Sequence, residues 1–217
     1  MEDKNNQAVI EGIIESNFVF NHEVFGERFY LVNVAVRRTS GVYDIVPVMI
    51  SERLMDVTQN QKGLGVMVSG QFRSYNRHDE DKCRLILSLF AREVEYLTYE
   101  ESVRATANSV YLEGYVCKKP VYRVTPLGRE VADITLAVNR TYGKSDYIPC
   151  ICWGRNAKFA AELQVGDRLA MHGRIQSRNY IKRYADGREE ERTAFEVSVN
   201  ILEHIRDDEG FKVEEGR

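Results

Sequence analysis

Apolar and polar residues alternate along most of this 217-residue chain in short runs of period two. Glycine or polar turn residues bound each run, which is the pattern of half-buried β-strands. In the second half the clearest runs fall at 110–118, 131–139, 146–152, 168–178 and 194–204. Between the third and fourth of these the period changes, and Asn156-Ala-Lys-Phe-Ala-Ala-Glu-Leu163 predicts a short helix. Gly143 and Gly187 fall in polar turns, where a positive φ costs glycine little.

The chain also repeats itself. At an offset of 102, Glu11-Gly12 falls on Glu113-Gly114, Gly26 on Gly128, Ala35-Val36 on Ala137-Val138, Arg38-Thr39 on Arg140-Thr141, and Gly41 on Gly143. Asp44 and Pro47 fall likewise on Asp146 and Pro149. The offset drifts to 103 at Gly63/Gly166 and Gly70/Gly173, and aligning Leu85-x-Leu87-Ser88 with Phe195-x-Val197-Ser198 makes it 110. Glycines and a proline held in register are the mark of a duplication with loop insertions. The first copy is expected to follow the same plan, with residues 51–58 as its helix. Five strands with a helix after the third is the order of an OB-fold. The expected fold is therefore all-β: two tandem OB-fold five-stranded barrels, each with one short helix between strands 3 and 4. Two β-sandwiches or one larger barrel share this periodicity, but the place of the helix favours the OB reading. The expected domains are 1–97 and 108–205, with a tail at 206–217. The linker, 98–107, has neither Pro nor Gly, which predicts packed barrels or a short stiff link.

Strand parity sorts core from surface. In the third strand of the second copy Ile148, Cys150 and Cys152 share one face, and Tyr147, Pro149, Ile151 and Trp153 the other. In the fourth, Leu169, Met171, Gly173 and Ile175 oppose Arg168, His172, Arg174 and Arg178, with Tyr180 beyond. A barrel this small is filled by one face of each strand, so the second face looks outward. Rings and guanidinium groups gathered there suit an unpaired polynucleotide, whose phosphates take the cations and whose bases stack at about 1–3 kcal/mol each. Two expected loops extend the groove, Arg140-Thr-Tyr142-Gly-Lys144 and Tyr180-Ile-Lys182-Arg-Tyr184. The candidate contacts are Arg140, Tyr142, Lys144, Tyr147, Trp153, Arg155, Arg174, Arg178, Tyr180, Lys182 and Tyr184. In the first copy Ile45, Ser51 and Gln71 replace Tyr147, Trp153 and Arg174, so its face reads as degenerate. Arg37, Arg38, Arg73, Tyr75 and Arg77 are its weaker candidates. The reading requires Trp153 to share one channel with guanidinium groups.

Composition narrows the classes. At 43% hydrophobic and 29% charged the chain can build a core and is too apolar for a disordered tail. No apolar run approaches the roughly 20 residues of a spanning helix, and the first seven residues carry no export signal, so a soluble, cytoplasmic protein is expected. Cys83, Cys117, Cys150 and Cys152 lack paired spacing and are expected to be reduced. The net charge of −3 argues against a polyanion partner until it is divided. Residues 1–97 carry 11 Lys/Arg against 14 Asp/Glu, whereas 108–205 carry 15 against 12. His22, His78, His172 and His204 fall in separate elements, and no Ser or Cys occupies a nucleophile elbow. Cys150-x-Cys152 has no second pair to complete a zinc set. Lys62-Gly-Leu-Gly65 lacks phosphate-loop spacing, and Asn139-Arg-Thr141 is a sequon an intracellular protein would not use. No enzymatic activity, metal or cofactor is expected.

Several segments of the second copy together resemble the bacterial single-stranded DNA-binding proteins. They are Asn108-Ser-Val-Tyr-Leu-Glu-Gly114, Pro120, Thr125-Pro-Leu-Gly128, Ile134-Thr-Leu-Ala-Val-Asn-Arg140, Asp146-Tyr-Ile-Pro149, Trp153-Gly-Arg-Asn-Ala157, Val165-Gly-Asp167 and His172-Gly-Arg-Ile-Gln-Ser-Arg178. The resemblance implies a barrel that coats single-stranded DNA in replication, recombination or repair with little sequence preference, and stacking roles for Tyr147, Trp153 and Tyr180. The first copy resembles the family only in skeleton, so direct binding is expected to concentrate in the second. Members usually carry one barrel and form tetramers, which implies a homodimer with four barrels here. They also end in a flexible linker whose acidic Pro-Phe tip docks other replication proteins. Arg206-Asp-Asp-Glu-Gly-Phe-Lys-Val-Glu-Glu-Gly-Arg217 is acidic but is not such a tip. Two rival functions use the same fold, a primosome-like protein-interaction module and a single-stranded RNA-binding chaperone. The aromatic and basic groove favours strand binding over both.

Overall fold

A computed structural model describes residues 4–79, 82–184 and 187–205; the acidic tail lies outside them. Among the described residues the first half contributes β1 (Asn6–Ile14), β2 (Val19–Val24), β3 (Glu27–Arg37), β4 (Tyr43–Ser51), β5 (Gly65–Asp79) and β6 (Lys82–Leu97). After helix α1 (Tyr99–Arg104) the second half adds β7 (Asn108–Val116), β8 (Val121–Val124), β9 (Glu130–Asn139) and β10 (Ser145–Trp153). Helix α2 (Arg155–Glu162), β11 (Arg168–Arg183) and β12 (Glu189–His204) complete it. Pairings β1–β3–β4–β6–β5–β1 join five strands in a ring, and β7–β9–β10–β12–β11–β7 repeat it. These are two OB-folds. β2 and β8 are extra strands outside the rings, hairpin partners of β3 and β9.

One face of each strand fills its ring. Ile10, Val34, Val48, Phe72 and Leu89 are fully buried in the first barrel, and Leu112, Leu136, Ile148, Met171 and Ile175 in the second. Each such burial contributes about 1.5–3 kcal/mol. Cys150 and Cys152 belong to this core, and burial pushes both thiols up, Cys152 to about 12. The repeated Glu-Gly pair has a physical cause. A Cβ on Gly12 would stand 2.4 Å from the Ala35 carbonyl oxygen, and one on Gly114 2.3 Å from that of Ala137, so closing each ring requires glycine there.

The barrels are joined by an antiparallel β1–β7 pairing in which Asn6 faces Leu112, Ala8 faces Val110 and Ile10 faces Asn108. Ala8 and Val110 are each other's repeat equivalents, so this is the register of a local two-fold. A matched pair of latches flanks it. Arg38 donates through Nη2 to buried Asp44 (2.5 Å) and to the Ser177 carbonyl of β11 (2.8 Å), while the Ser177 amide and hydroxyl donate to Asp44 Oδ1 (2.7 and 2.8 Å). On the other side Arg140 grips buried Asp146 and the Ser74 carbonyl of β5 (3.0 Å), and the Ser74 amide donates to Asp146 Oδ1 (2.5 Å). Burial alone would raise the Asp44 carboxyl. The hydrogen bonds from Arg38 and Ser177 outweigh it and hold the group below the ordinary carboxylate value.

Three expectations need correction. The helix expected at 51–58 is absent: Ser51 ends β4, and turns and bends follow it. Helix α2 starts at Gly154, whose φ of 54° and ψ of −118° favour glycine, but Glu52 holds the equivalent place. Asp56 also accepts from the Thr58 amide (3.0 Å) and hydroxyl (2.6 Å), a local bond that competes with helix. The last strands are equivalent at an offset of 108, not 110, because Met49 pairs with Phe90 where Ile151 pairs with Ser198. Residues 180–183 belong to β11, not to a loop: β11 and β12 run on as a paired arm to Arg183 opposite Glu189. Lacking a buried face, that arm shows no apolar alternation. Within the linker lies α1, whose N-cap Thr98 accepts from the Glu101 amide (3.3 Å) while Glu101 accepts from the Thr98 amide (2.7 Å), a capping box.

Candidate nucleic-acid interface

Trp153 ends β10 on the outward face and is 39% exposed. The turn at Gly154 brings Arg155 next to it, and the pairing of Trp153 with Val131 brings up Arg129 from the turn just before β9. β11 supplies Arg174 and Gln176 from alternate positions. Together with Asn156, Ser198 and Asn200 these side chains line one open recess of about 580 Å³. Arg174 Nε is buried there without a hydrogen-bond partner. A desolvated guanidinium nitrogen with nothing to donate to is costly unless an acceptor arrives. The indole and three cations therefore share a channel.

Arg178, Tyr180 and Lys182 continue the same face of β11 beyond the recess at two-residue intervals, and Tyr184 follows just past the strand's end. From Arg174 to Tyr184 the stripe spans about 33 Å at roughly 3.3 Å per residue. Buried Glu196 accepts from Gln176 (2.8 Å) and Arg178 (3.3 Å), and the Arg178 guanidinium carbon lies 5.8 Å from the Tyr180 ring centre. Tyr180 is 38% exposed and lines a second recess of about 460 Å³ with Pro47, Pro149 and Phe195. At the arm's far end Lys182 and Arg188 lie 5.1 and 5.3 Å from the Tyr184 ring centre, and Tyr184 Oη donates to Glu190 (2.5 Å). Tyr147 is 47% exposed on β10, with its amide donating to Ser74 Oγ (2.8 Å).

Other candidates are placed differently. Arg140 and Arg38 are held in the latches between barrels. Lys144 is exposed just before β10, and Tyr142 belongs by its backbone to a short 3-10 turn, its side chain lying outside the described residues. In the first barrel Arg37 is exposed, Tyr75 is half-buried, and Arg73 lies 4.1 Å over the Phe90 ring. The side chain of Arg77 lies outside the described residues. Sequence reasoning missed Asn156, which the turn at Gly154 brings to Trp153, and Arg129, Gln176 and Asn200, which the folding of the strands brings there from distant positions.

The profile described as the Single-strand binding protein family matches residues 107–205. That match covers the second barrel, just under half of the chain. The chain is 44% identical over 80 residues to "Single-stranded DNA-binding protein 2" of Listeria innocua, covering 34% of this chain and 50% of that protein. It is 42% identical over 80 residues to "Single-stranded DNA-binding protein A" of Bacillus subtilis, covering 34% and 46%. The chain thus spans about half the length of the curated relatives it matches. Along nearly its whole length it shares the fold of the wild-type single-stranded DNA binding protein from Thermus aquaticus, with a TM-score of 0.71, 23% identity and 93% of each chain covered. All of the stronger candidate residues lie inside the family match, and all of the weaker ones outside it. No helix among the described residues is long and apolar enough to cross a membrane.

Proposed function

We propose that this chain binds single-stranded DNA, with bases stacking on Trp153, Tyr147 and Tyr180 and phosphates held by Arg129, Arg155, Arg174 and Arg178. The observation that carries the reading is the recess in which an exposed indole meets three guanidinium groups, one with a buried nitrogen awaiting an acceptor. Every base has a flat face and every nucleotide a phosphate, so such a surface binds with little sequence preference, as coating unpaired DNA in replication, recombination or repair requires. Duplex DNA hides the faces that the rings need. The second barrel is the main binding domain, and two chains pair to present four barrels.

Trp153 is the single tryptophan and reports directly on the site. Titration with oligothymidine quenches its emission, and the affinity falls with added salt. Unchanged emission at saturating oligonucleotide overturns the proposal, and a monomeric mass in solution overturns the four-barrel assembly.

A further inference from the structure

We infer that the first barrel carries a second base-stacking platform, built from Phe29 and Phe90 without a tryptophan, and that it takes a base of the same DNA strand. The inference rests on the proposed function and extends it to a surface that reads as degenerate in sequence. The corrected offset makes the platform visible. In the second barrel Trp153 stands at the centre of the outward face, paired with Val131 on β9, while Ile151 on the same strand pairs with Ser198 on β12. In the first barrel the centre is Ser51, whose hydroxyl donates to Glu27, and the positions of Val131 and Ser198 hold Phe29 and Phe90. The ring has moved from the central strand to both of its neighbours.

The geometry suits a base. Phe29 and Phe90 are half-buried on the outward face, with ring centres 5.6 Å apart. His22 of β2 stacks on Phe29 at 4.9 Å with planes 8° apart, which extends the row by a further flat ring. Arg73 lies over Phe90 at 4.1 Å and Tyr75 follows it on β5, so a cation accompanies the rings as on β11. A recess of about 260 Å³ opens beside them, lined by His22, Arg73, Tyr75, Phe90 and Arg140 among others. Arg140 comes from the second barrel, so the recess adjoins both barrels. Because the rings and Arg73 already contact one another, they add less affinity than Trp153 does.

The test uses the full chain and an oligothymidine of about 35 nucleotides, enough for two barrels at roughly 16 nucleotides each. With 5-iodouracil incorporated, irradiation should cross-link one set of peptides around Trp153 and a second set containing Phe29 or Phe90. Cross-links confined to the second barrel overturn this inference and leave the proposed function standing; no cross-link at either barrel overturns both. The double variant Phe29→Leu with Phe90→Leu keeps apolar bulk and removes the rings. It should lower affinity for the long oligonucleotide about threefold to tenfold while Trp153 quenching keeps its amplitude. An unchanged affinity overturns the inference.

Discussion

The two barrels share a ring of strands, a pair of closing glycines and matched latches, yet their outward faces differ. In the second barrel an indole stands open beside three cations and one guanidinium nitrogen has no partner. In the first, the cation rests on a phenylalanine and the serine at the centre is tied to a glutamate. A barrel's core thus fixes where its strands run, while the face it turns outward is set separately, residue by residue.

The contrast is sharpest in binding. Trp153→Ala with Tyr147→Ala should weaken oligothymidine binding about 100-fold or more, since each lost stack is worth about 1–3 kcal/mol. Arg73→Ala with Tyr75→Ala should cost less than about tenfold. Equal losses in a fluorescence anisotropy titration with labelled oligothymidine would break the comparison.

The latches should behave alike where the faces do not. Asp44→Ala and Asp146→Ala each strand an arginine against the opposite barrel, at a cost of about 3 kcal/mol in denaturant unfolding; a large inequality would mean that the local two-fold is not energetic. The Asp44 carboxyl is held below its unfolded value of about 4, so its stabilisation is present above that pH and is lost as the pH falls through the folded value. The difference in stability between the parent and Asp44→Asn should shrink below about pH 4.

Gly154→Ala should destabilise the second barrel by about 1–2 kcal/mol through its positive φ, whereas Glu52→Gly in the first should change little. The smallest expected effect is electrostatic. Arg174→Gln should reduce the slope of log affinity against log salt by about 0.7, the loss of one phosphate contact on a single strand.

Much of this architecture was legible in sequence because a barrel strand with one wet face writes its position as alternation, and because Gly12 and Gly114 recur wherever the ring must close. Legibility failed where those causes were missing. The β11–β12 arm has no buried face and therefore no period. The absent helix at 51–58 turned on the replacement of Gly154 by Glu52, a change of conformational freedom that hydrophobic pattern does not record. Thr98-x-x-Glu101 was a readable capping box within the linker. At the candidate site, parity found Trp153 and Arg174 but not Arg129, which reaches the indole across a strand pairing. An alignment two residues out of register hid Phe90 opposite Ser198.

The β1–β7 pairing has a consequence for the pair as a whole. Where two identical subunits meet across a dyad, every substitution appears twice and the halves separate on dilution. With both halves on one polypeptide, neither holds. Each side has been free to drift alone, and the object that results has a head and a tail, so any filament laid across it meets unlike ends.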